Sequence, residues 1–479
     1  MRFSGAVRDG GGASNRWTVR QLGVPRFGLF PCGRGTAPEW IRFAGAGQSE
    51  QGDFSLCRRA DSSPILTHPP DSLTLCARIP ESDYLSVMWN FIIYLFPLAF
   101  DIIVSVSLFA GRHSLAEQGL DTGTVGSILT LYGIGYLISS LLMSRIVRPG
   151  IARGQMVAAV LMTVVTLITL AHSRNLRMIQ GVFLILPFTA SFFFNAFQSF
   201  MLGFDSCAGK RLTRTAAHYT GSWSLGFALG PFIASFVKKN MDWPSAYYVA
   251  AGVAAGIGLA ALWLRSPEVS PKPRSPDRSP EAASRSLALA AWIGVVVGWT
   301  GLNMVFIYWP VQAESLGLDV RAKGLVEFCF ALSQSISAFA LAGVPSAYYC
   351  SRRLPFAGML GGLALLGFVF SRNLAGFILG SVLYGVYTAH ALNAMMFHSM
   401  IEKDKAVKRV AINEICIGIS FMISAPLAHV VRRMFSSLAE SYAGVALLIV
   451  AGVLVEWIVL DRSKSRENRH LLCSNRAEP

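Results

Sequence analysis

Charge is scarce in this 479-residue sequence: Asp, Glu, Lys and Arg make up 14% of it, against about 25% in soluble domains. With 53% hydrophobic residues and a mean hydropathy of +0.48, that scarcity excludes an ordinary soluble domain. Cysteine is sparse and unpatterned. The eight residues Cys32, Cys57, Cys76, Cys207, Cys329, Cys350, Cys416 and Cys473 show no CxxC spacing and no histidine at ligand distance, so neither a metal site nor a bound cofactor is expected. Those in helices read as small apolar core residues. H-E-x-x-H, G-x-S-x-G and the Gly-rich phosphate loops are missing, which argues against an enzyme, and no nucleotide-binding domain for an ATP-driven pump is recognisable. Methionine is absent between Met1 and Met88, and residues 1–87 lack any long apolar run while being rich in Arg, Gly and Ser. That segment does not resemble a signal peptide. It reads as a disordered cytoplasmic extension, with Met88, directly before "WNFIIYLFPLAF", as an alternative physiological start.

What is abundant is long apolar sequence. Crossing a hydrocarbon core about 30 Å thick takes roughly 17 to 25 mostly apolar residues. Twelve such runs lie near 89–111, 125–144, 154–171, 178–203, 215–237, 245–264, 287–309, 325–345, 354–370, 374–398, 410–430 and 441–460. Backbone polar groups cannot stay unpaired in lipid, so each run predicts a helix; runs this unbroken exclude a strand-based barrel. The net charge of +15 does not point to nucleic acid, because every Lys and Arg falls outside these runs or at their edges. With both termini cytoplasmic, 22 Lys and Arg lie in cytoplasmic connections and 10 in external ones, as the positive-inside rule requires.

The tetrapeptide "SRNL" occurs at 173–176 and again at 371–374, and at that offset of 198 Asn195–Ala196 matches Asn393–Ala394 and Lys210–Arg211 matches Lys408–Arg409. These matches read as relics of a duplication. Between the copies, "RSPEVSPKPRSPDRSPEAASRS" at 265–286 reads as an extended, solvated connection. The organisation expected is an N-terminal extension over 1–87, a six-helix bundle over 88–264, the linker, a second bundle over 287–461 and a tail over 462–479.

Short motifs carry a resemblance. "RMIQG" in the fourth run matches R-x-x-Q-G through Arg177, Gln180 and Gly181, and "GFALGPFIAS" in the fifth matches G-x-x-x-G-P-x-x-G-G through Gly226, Gly230 and Pro231. "SLLMSRIVRPGIARG" stands where G-x-x-x-D-R-x-G-R-R is expected, with Arg145 and Gly150 in place and Ser144 where the acid should be. Through these motifs, the helix number and the central linker, the chain resembles the major facilitator superfamily over residues 88–461. The resemblance implies an all-α integral membrane protein of twelve transmembrane helices in two six-helix bundles, related by a pseudo-two-fold axis along the membrane normal. It also implies alternating access around a midplane cavity, and a monomer in the cell inner or plasma membrane.

Asp101 lies near the middle of the first run, where a carboxylate costs roughly 2.5 to 3.5 kcal/mol on the insertion scale. It is therefore expected at a wet cavity as a proton carrier, with His218, Tyr219 or Asn195 as partner; the alternative is a plain interhelical hydrogen bond. His218 and His390 are titratable candidates. The amides Asn195, Gln198, Asn303 and Asn393, with His390, are candidates for a substrate cavity, Asn195 and Asn393 occupying corresponding positions in the two halves; the alternative is interhelical glue. By resemblance, Arg177 is a candidate for proton relay, or else an interfacial anchor. Arg145, Gly226, Gly230 and Pro231 are candidates for gating and helix packing, and Gly126, Gly133 and Gly135 permit close helix approach. "SFFFNAFQSF" could line an apolar drug pocket, although phenylalanines in lipid more often pack or face it. Glu327 and Glu414 sit near run ends and read as hydrated, Glu456 as interfacial beside Trp457.

The expectation is thus a secondary active transporter of a small, not strongly anionic solute, proton-coupled through Asp101 or driven by another coupling ion, with efflux or antiport suggested by the fifth-helix motif. A non-transporting receptor or scaffold on the same fold is the alternative.

Overall fold

The computed structural model describes residues 92–204, 212–264, 281–401 and 403–474. The expectations for residues 1–87 and Met88, for 265–280 of the linker and for the Lys210–Arg211 pair lie outside these residues. Twelve long helices stand among the described residues: α1 Leu95–Glu117, α2 Thr122–Ile146, α3 Ala152–His172, α4 Leu176–Phe204, α5 Leu212–Asn240, α6 Trp243–Ala261, α7 Glu281–Ser315, α8 Val320–Leu341, α9 Arg353–Phe370, α10 Leu374–Met400, α11 Lys403–Met434 and α12 Leu438–Ser474.

Several bounds differ from the hydropathy reading. Helix α1 is shifted six residues toward the C-terminus, α7 begins at Glu281 inside the expected linker, and α12 runs past residue 461 to Ser474. The reason is physical: hydropathy marks where lipid is tolerated, whereas backbone hydrogen bonds and stop signals mark where a helix ends. The stop for α1 is Gly119 at φ 77°. Its N–H bonds to Ala116 O at 2.9 Å and the Leu120 N–H bonds to Leu115 O at 3.2 Å, a Schellman closure that glycine enters without steric cost. Asp121 then caps α2, accepting from Thr124 N at 2.9 Å.

The same device recurs 198 residues on. Gly317 has φ 65°, Leu318 N bonds to Ala313 O at 3.0 Å, and Asp319 caps α8 by accepting from Ala322 N at 2.8 Å. The "SRNL" copies open α4 and α10, where Asn175 Oδ1 accepts from Arg177 N at 2.9 Å and Asn373 Oδ1 from Gly376 N at 3.0 Å. The repeated polar residues are helix stops and starts.

Packing carries the same repeat. In the first half α1 packs on α5 and α6, α2 on α4, and α3 on α4 and α6; in the second, α7 packs on α11 and α12, α8 on α10, and α9 on α10 and α12. The halves meet chiefly through α2 on α11 and α5 on α8, two contacts that exchange when each helix is advanced by six. This is a pair of six-helix bundles related by a pseudo-two-fold axis.

The most apolar windows of α1 and α7 are 83% and 78% buried, those of the other spans 44–56%, so α1 and α7 are the innermost. The outer helices present Leu161, Val165, Leu259, Leu363, Leu447 and Leu454 on open faces; large contiguous apolar surface of this kind belongs against hydrocarbon. Eleven of the helices are long and apolar enough to span a membrane by length and composition. The exception is α5, which faces α1 and α8 and buries Thr213, Thr215, Thr220, Ser222 and Ser224 against them and their neighbours. Ser224 accepts from Gln334 Nε2 at 2.6 Å and Gly221 O from Ser335 Oγ at 2.7 Å, both on α8, so this face meets protein and its sequence need not be uniformly apolar.

Candidate central cavity and charge cluster

Between the halves lies a cavity of about 50 Å³. It sits level with the middles of α2, α7 and α11. The first half contributes Asp101 and Val104 from α1, Tyr132 and Tyr136 from α2, Phe194 from α4, and Tyr219, Trp223 and Phe227 from α5. From the second half come Trp299 on α7, Leu392, Met395 and Met396 on α10, and Glu414, Ile417 and Phe421 on α11. Aromatic pairs bridge the halves, with Trp223 and Trp299 at 5.6 Å between centroids and Tyr132 and Phe421 at 4.8 Å.

Two carboxyl groups face this space, and their surroundings differ. Glu414 accepts from the Tyr136 hydroxyl and from Gln198 Nε2, and Gln198 Nε2 also donates to the Tyr219 hydroxyl at 2.8 Å. Both of its oxygens are therefore satisfied by donors from the other half. Asp101 is 5% exposed, and its Oδ2 has no hydrogen-bond partner. Glycine fixes its place: a Cβ on Gly226 would fall 2.0 Å from Leu98 O and 3.1 Å from Asp101 Cβ, and one on Gly230 would fall 1.8 Å from Ser105 Oγ. These two glycines let α5 lie directly on the α1 face that carries Asp101. Ser105 reinforces it, donating to Asp101 O at 2.6 Å.

Toward the C-terminal end of α1 lies a second buried cluster. Arg112 donates through Nη2 to Glu327 Oε2 at 2.8 Å and through Nη1 to Glu327 Oε1 at 3.3 Å, while Nη1 also reaches Phe306 O at 2.9 Å and Nε reaches Leu108 O at 3.0 Å. His113 Nε2 lies 3.2 Å from Glu327 Oε1. The guanidinium stands 4.5 Å from the Phe306 ring centroid. The side chains of all three residues are 1% exposed. A buried pair of this kind repays its desolvation only when its remaining donors are also satisfied, and here backbone carbonyls take Nε and one hydrogen of Nη1. The pair ties α1 to α8 across the interface.

The structure distributes the expected site residues unevenly. Asp101 and Tyr219 share the cavity, and Gln198 reaches it through Glu414. Asn195 does not: it donates to Ser191 O at 2.9 Å and lines a separate space with Ser199 and Val410. His218 is half-buried between the Tyr94 and Phe339 rings, with centroids at 5.5 and 6.0 Å, and lies outside the cavity lining. Asn303 and Asn393 are fully buried with both amide atoms unpartnered, and neither is among the lining residues. His390 is half-buried with Nδ1 2.9 Å from Val386 O. Arg177 and Arg145 are exposed. Pro231 sits in α5 against α8, where a Cβ on Gly324 would fall 2.8 Å from its carbonyl oxygen. In "SFFFNAFQSF", Phe193, Phe197 and Phe200 are fully buried in the packing, and Phe194 lines the cavity.

Three acids depart from the sequence reading. Glu327, Glu414 and Glu456 are 2%, 3% and 1% exposed, so none stands in water. Helices α8 and α11 begin several residues before the apolar runs do, which carries Glu327 and Glu414 inward by a turn or two. Arg112 was missed for the same reason, since the first run ended at Gly111 while the helix continues to Glu117. An available signal was the "GLD" repeat at 119 and 317, which marks where α1 and α7 stop. Among the described residues no group of three His, Cys, Asp or Glu could hold a metal.

The sequence profile of the Major Facilitator Superfamily matches residues 86–400, well over half of the chain. No curated protein matches it. Among solved structures, the crystal structure of the human organic anion transporter MFSD10 (TETRAN) superposes with a TM-score of 0.55 at 14% identity, covering 79% of this chain and 99% of that one. At that identity the likeness is one of fold.

Proposed function

The chain belongs to the Major Facilitator Superfamily and is a membrane transporter; from that premise we propose that it is a secondary active transporter carrying a small solute by alternating access, coupled to protons through Asp101. The observation that carries this reading is the cavity between the two bundles, with an unpartnered, buried carboxyl oxygen of Asp101 on its wall. Proton uptake and release at Asp101 would alter the charge of the cavity as the bundles rock about it. The Arg112–Glu327 pair holds one side shut, and opening that side requires it to part.

The fifth-helix motif through Gly226, Gly230 and Pro231 favours exchange over uptake. The excess of basic residues on one side favours cytoplasmic termini in an inner or plasma membrane. Organic anions, the cargo named for the MFSD10 structure, fit poorly here, because the residues lining the cavity include two acids and no Lys, Arg or His. The protein is proposed to act as a monomer.

In proteoliposomes with an imposed proton gradient, the wild-type protein is expected to move substrate with a matching proton flux. Asp101→Asn should abolish gradient-driven flux while leaving the helical circular dichroism and thermal unfolding intact. Undiminished flux in that variant removes Asp101 from the mechanism. The receptor reading is favoured by one observation, Ser144 in place of the loop acid, and it requires ligand binding with no flux in either protein.

A further inference from the structure

From the chemistry of the central cavity we infer that its ligand is a compact organic cation, a substituted or quaternary ammonium head. This rests on the transporter reading above and adds the substrate class to it. Three observations converge.

The first is a lining of one sign. Asp101 and Glu414 both line the cavity, and its lining holds no Lys, Arg or His. A buried carboxylate without a counter-charge is costly, and a ligand cation offsets that cost where an anion would add to it.

The second is the state of the two acids. Glu414 already accepts from Tyr136 and Gln198, which holds it as a fixed acceptor. Asp101 Oδ2 is buried and unpartnered, so it is the oxygen left to receive an N–H from a protonated amine or to sit against a quaternary head.

The third is the wall itself. Tyr132, Tyr219, Trp223, Trp299 and Phe421 surround the acids from both halves. Ring faces attract cations, most strongly where water is excluded, and aromatic cages are a recurrent solution for quaternary ammonium groups. Size agrees. A space of 50 Å³ accommodates about four water molecules, which occupy roughly 120 Å³ of liquid, enough for a small tetraalkylammonium head and too little for a large drug.

The test uses the full chain purified in detergent and three ligands of one shape: choline, its neutral carbon isostere 3,3-dimethylbutan-1-ol, and the anion 3,3-dimethylbutanoate. Binding is read by calorimetry and by the shift in unfolding temperature. Choline should bind at least tenfold tighter than the alcohol, the carboxylate should not bind, and Asp101→Asn should weaken choline at least tenfold. Trp299→Leu provides a second variant that leaves both acids in place, and it should weaken choline while leaving the alcohol unaffected. Equal binding of choline and the alcohol, preference for the carboxylate, no choline binding, or choline binding undiminished in both variants overturns the inference. Gradient-driven flux of a neutral or anionic solute in the same preparation, with no choline binding, would show that the substrate class is wrong while the transporter reading stands.

Discussion

Single side chains decide how the two halves hold together near the C-terminal end of α1. The Arg112–Glu327 pair is fully buried and bidentate, so removing one partner strands a charge in a dry interface. Glu327→Leu or Arg112→Leu alone is expected to cost about 3 to 5 kcal/mol, and the double substitution less than either, because it strands no charge. Thermal unfolding of the three variants in detergent checks this; a double variant less stable than either single refutes it. His113, which also faces Glu327, should not rescue Arg112→Leu, since a neutral imidazole supplies one donor and no charge. The Asp101 prediction made above belongs to this scale too, and so does the difference between the acids. Their types were legible in the sequence, but the satisfied state of Glu414 and the unpartnered state of Asp101 depend on Tyr136 and Gln198, residues far away in the chain.

At the scale of elements, glycines set the helix contacts and polar caps set the helix ends. A Cβ on Gly226 meets a backbone carbonyl of α1 within the first bundle, whereas a Cβ on Gly133 would lie 2.1 Å from Met422 N across the interface between bundles. The two substitutions should therefore fail differently. Gly226→Ala is expected to lower unfolding temperature. Gly133→Ala is expected to push α2 away from α11, lengthening the distance between spin labels at Gln118 and Met434 and slowing transport; an unchanged distance distribution counts against that contact as a moving interface. Helix ends yield a milder prediction. Hydrogen bonds from Thr124 hold the Asp121 carboxyl below its ordinary range, so its stabilising contribution is present above the unfolded value of 3.8 and is lost as pH falls through the lower folded one. Asp121→Ala should cost about 1 kcal/mol at neutral pH, a deficit that narrows below pH 3.8 as the wild-type cap also loses its charge.

For the whole molecule, the pairing of helices repeats under a shift of six, the symmetry on which the proposed rocking of the two bundles about the cavity rests. Orientation is testable at this scale. With a cysteine at position 174, between α3 and α4, a membrane-impermeant maleimide should label intact right-side-out vesicles, while Arg148→Cys, between α2 and α3, should label only after permeabilisation. The reverse pattern inverts the proposed topology. Arg112 had been counted among the external basic residues, and its burial inside α1 reduces that external count, which sharpens the charge asymmetry behind the expected orientation.

Twelve helices, their grouping in two sixes and the family were legible in the sequence because lipid enforces them locally: every backbone polar group must be paired within its own segment, and only long apolar runs permit this. The tetrapeptide repeat was legible as well, although its reason, capping and stopping helices, needed the backbone. The neighbours of each polar side chain were decided by the tertiary structure alone. Asn195, His218 and Asn393 looked as suited to a cavity as Asp101, yet only Asp101 faces it, and Glu327 and Glu414 looked like helix-end acids until packing carried them into the interface. Burial and pairing of a charge depend on residues hundreds of positions away, and hydropathy, summed along the chain, holds no information about them.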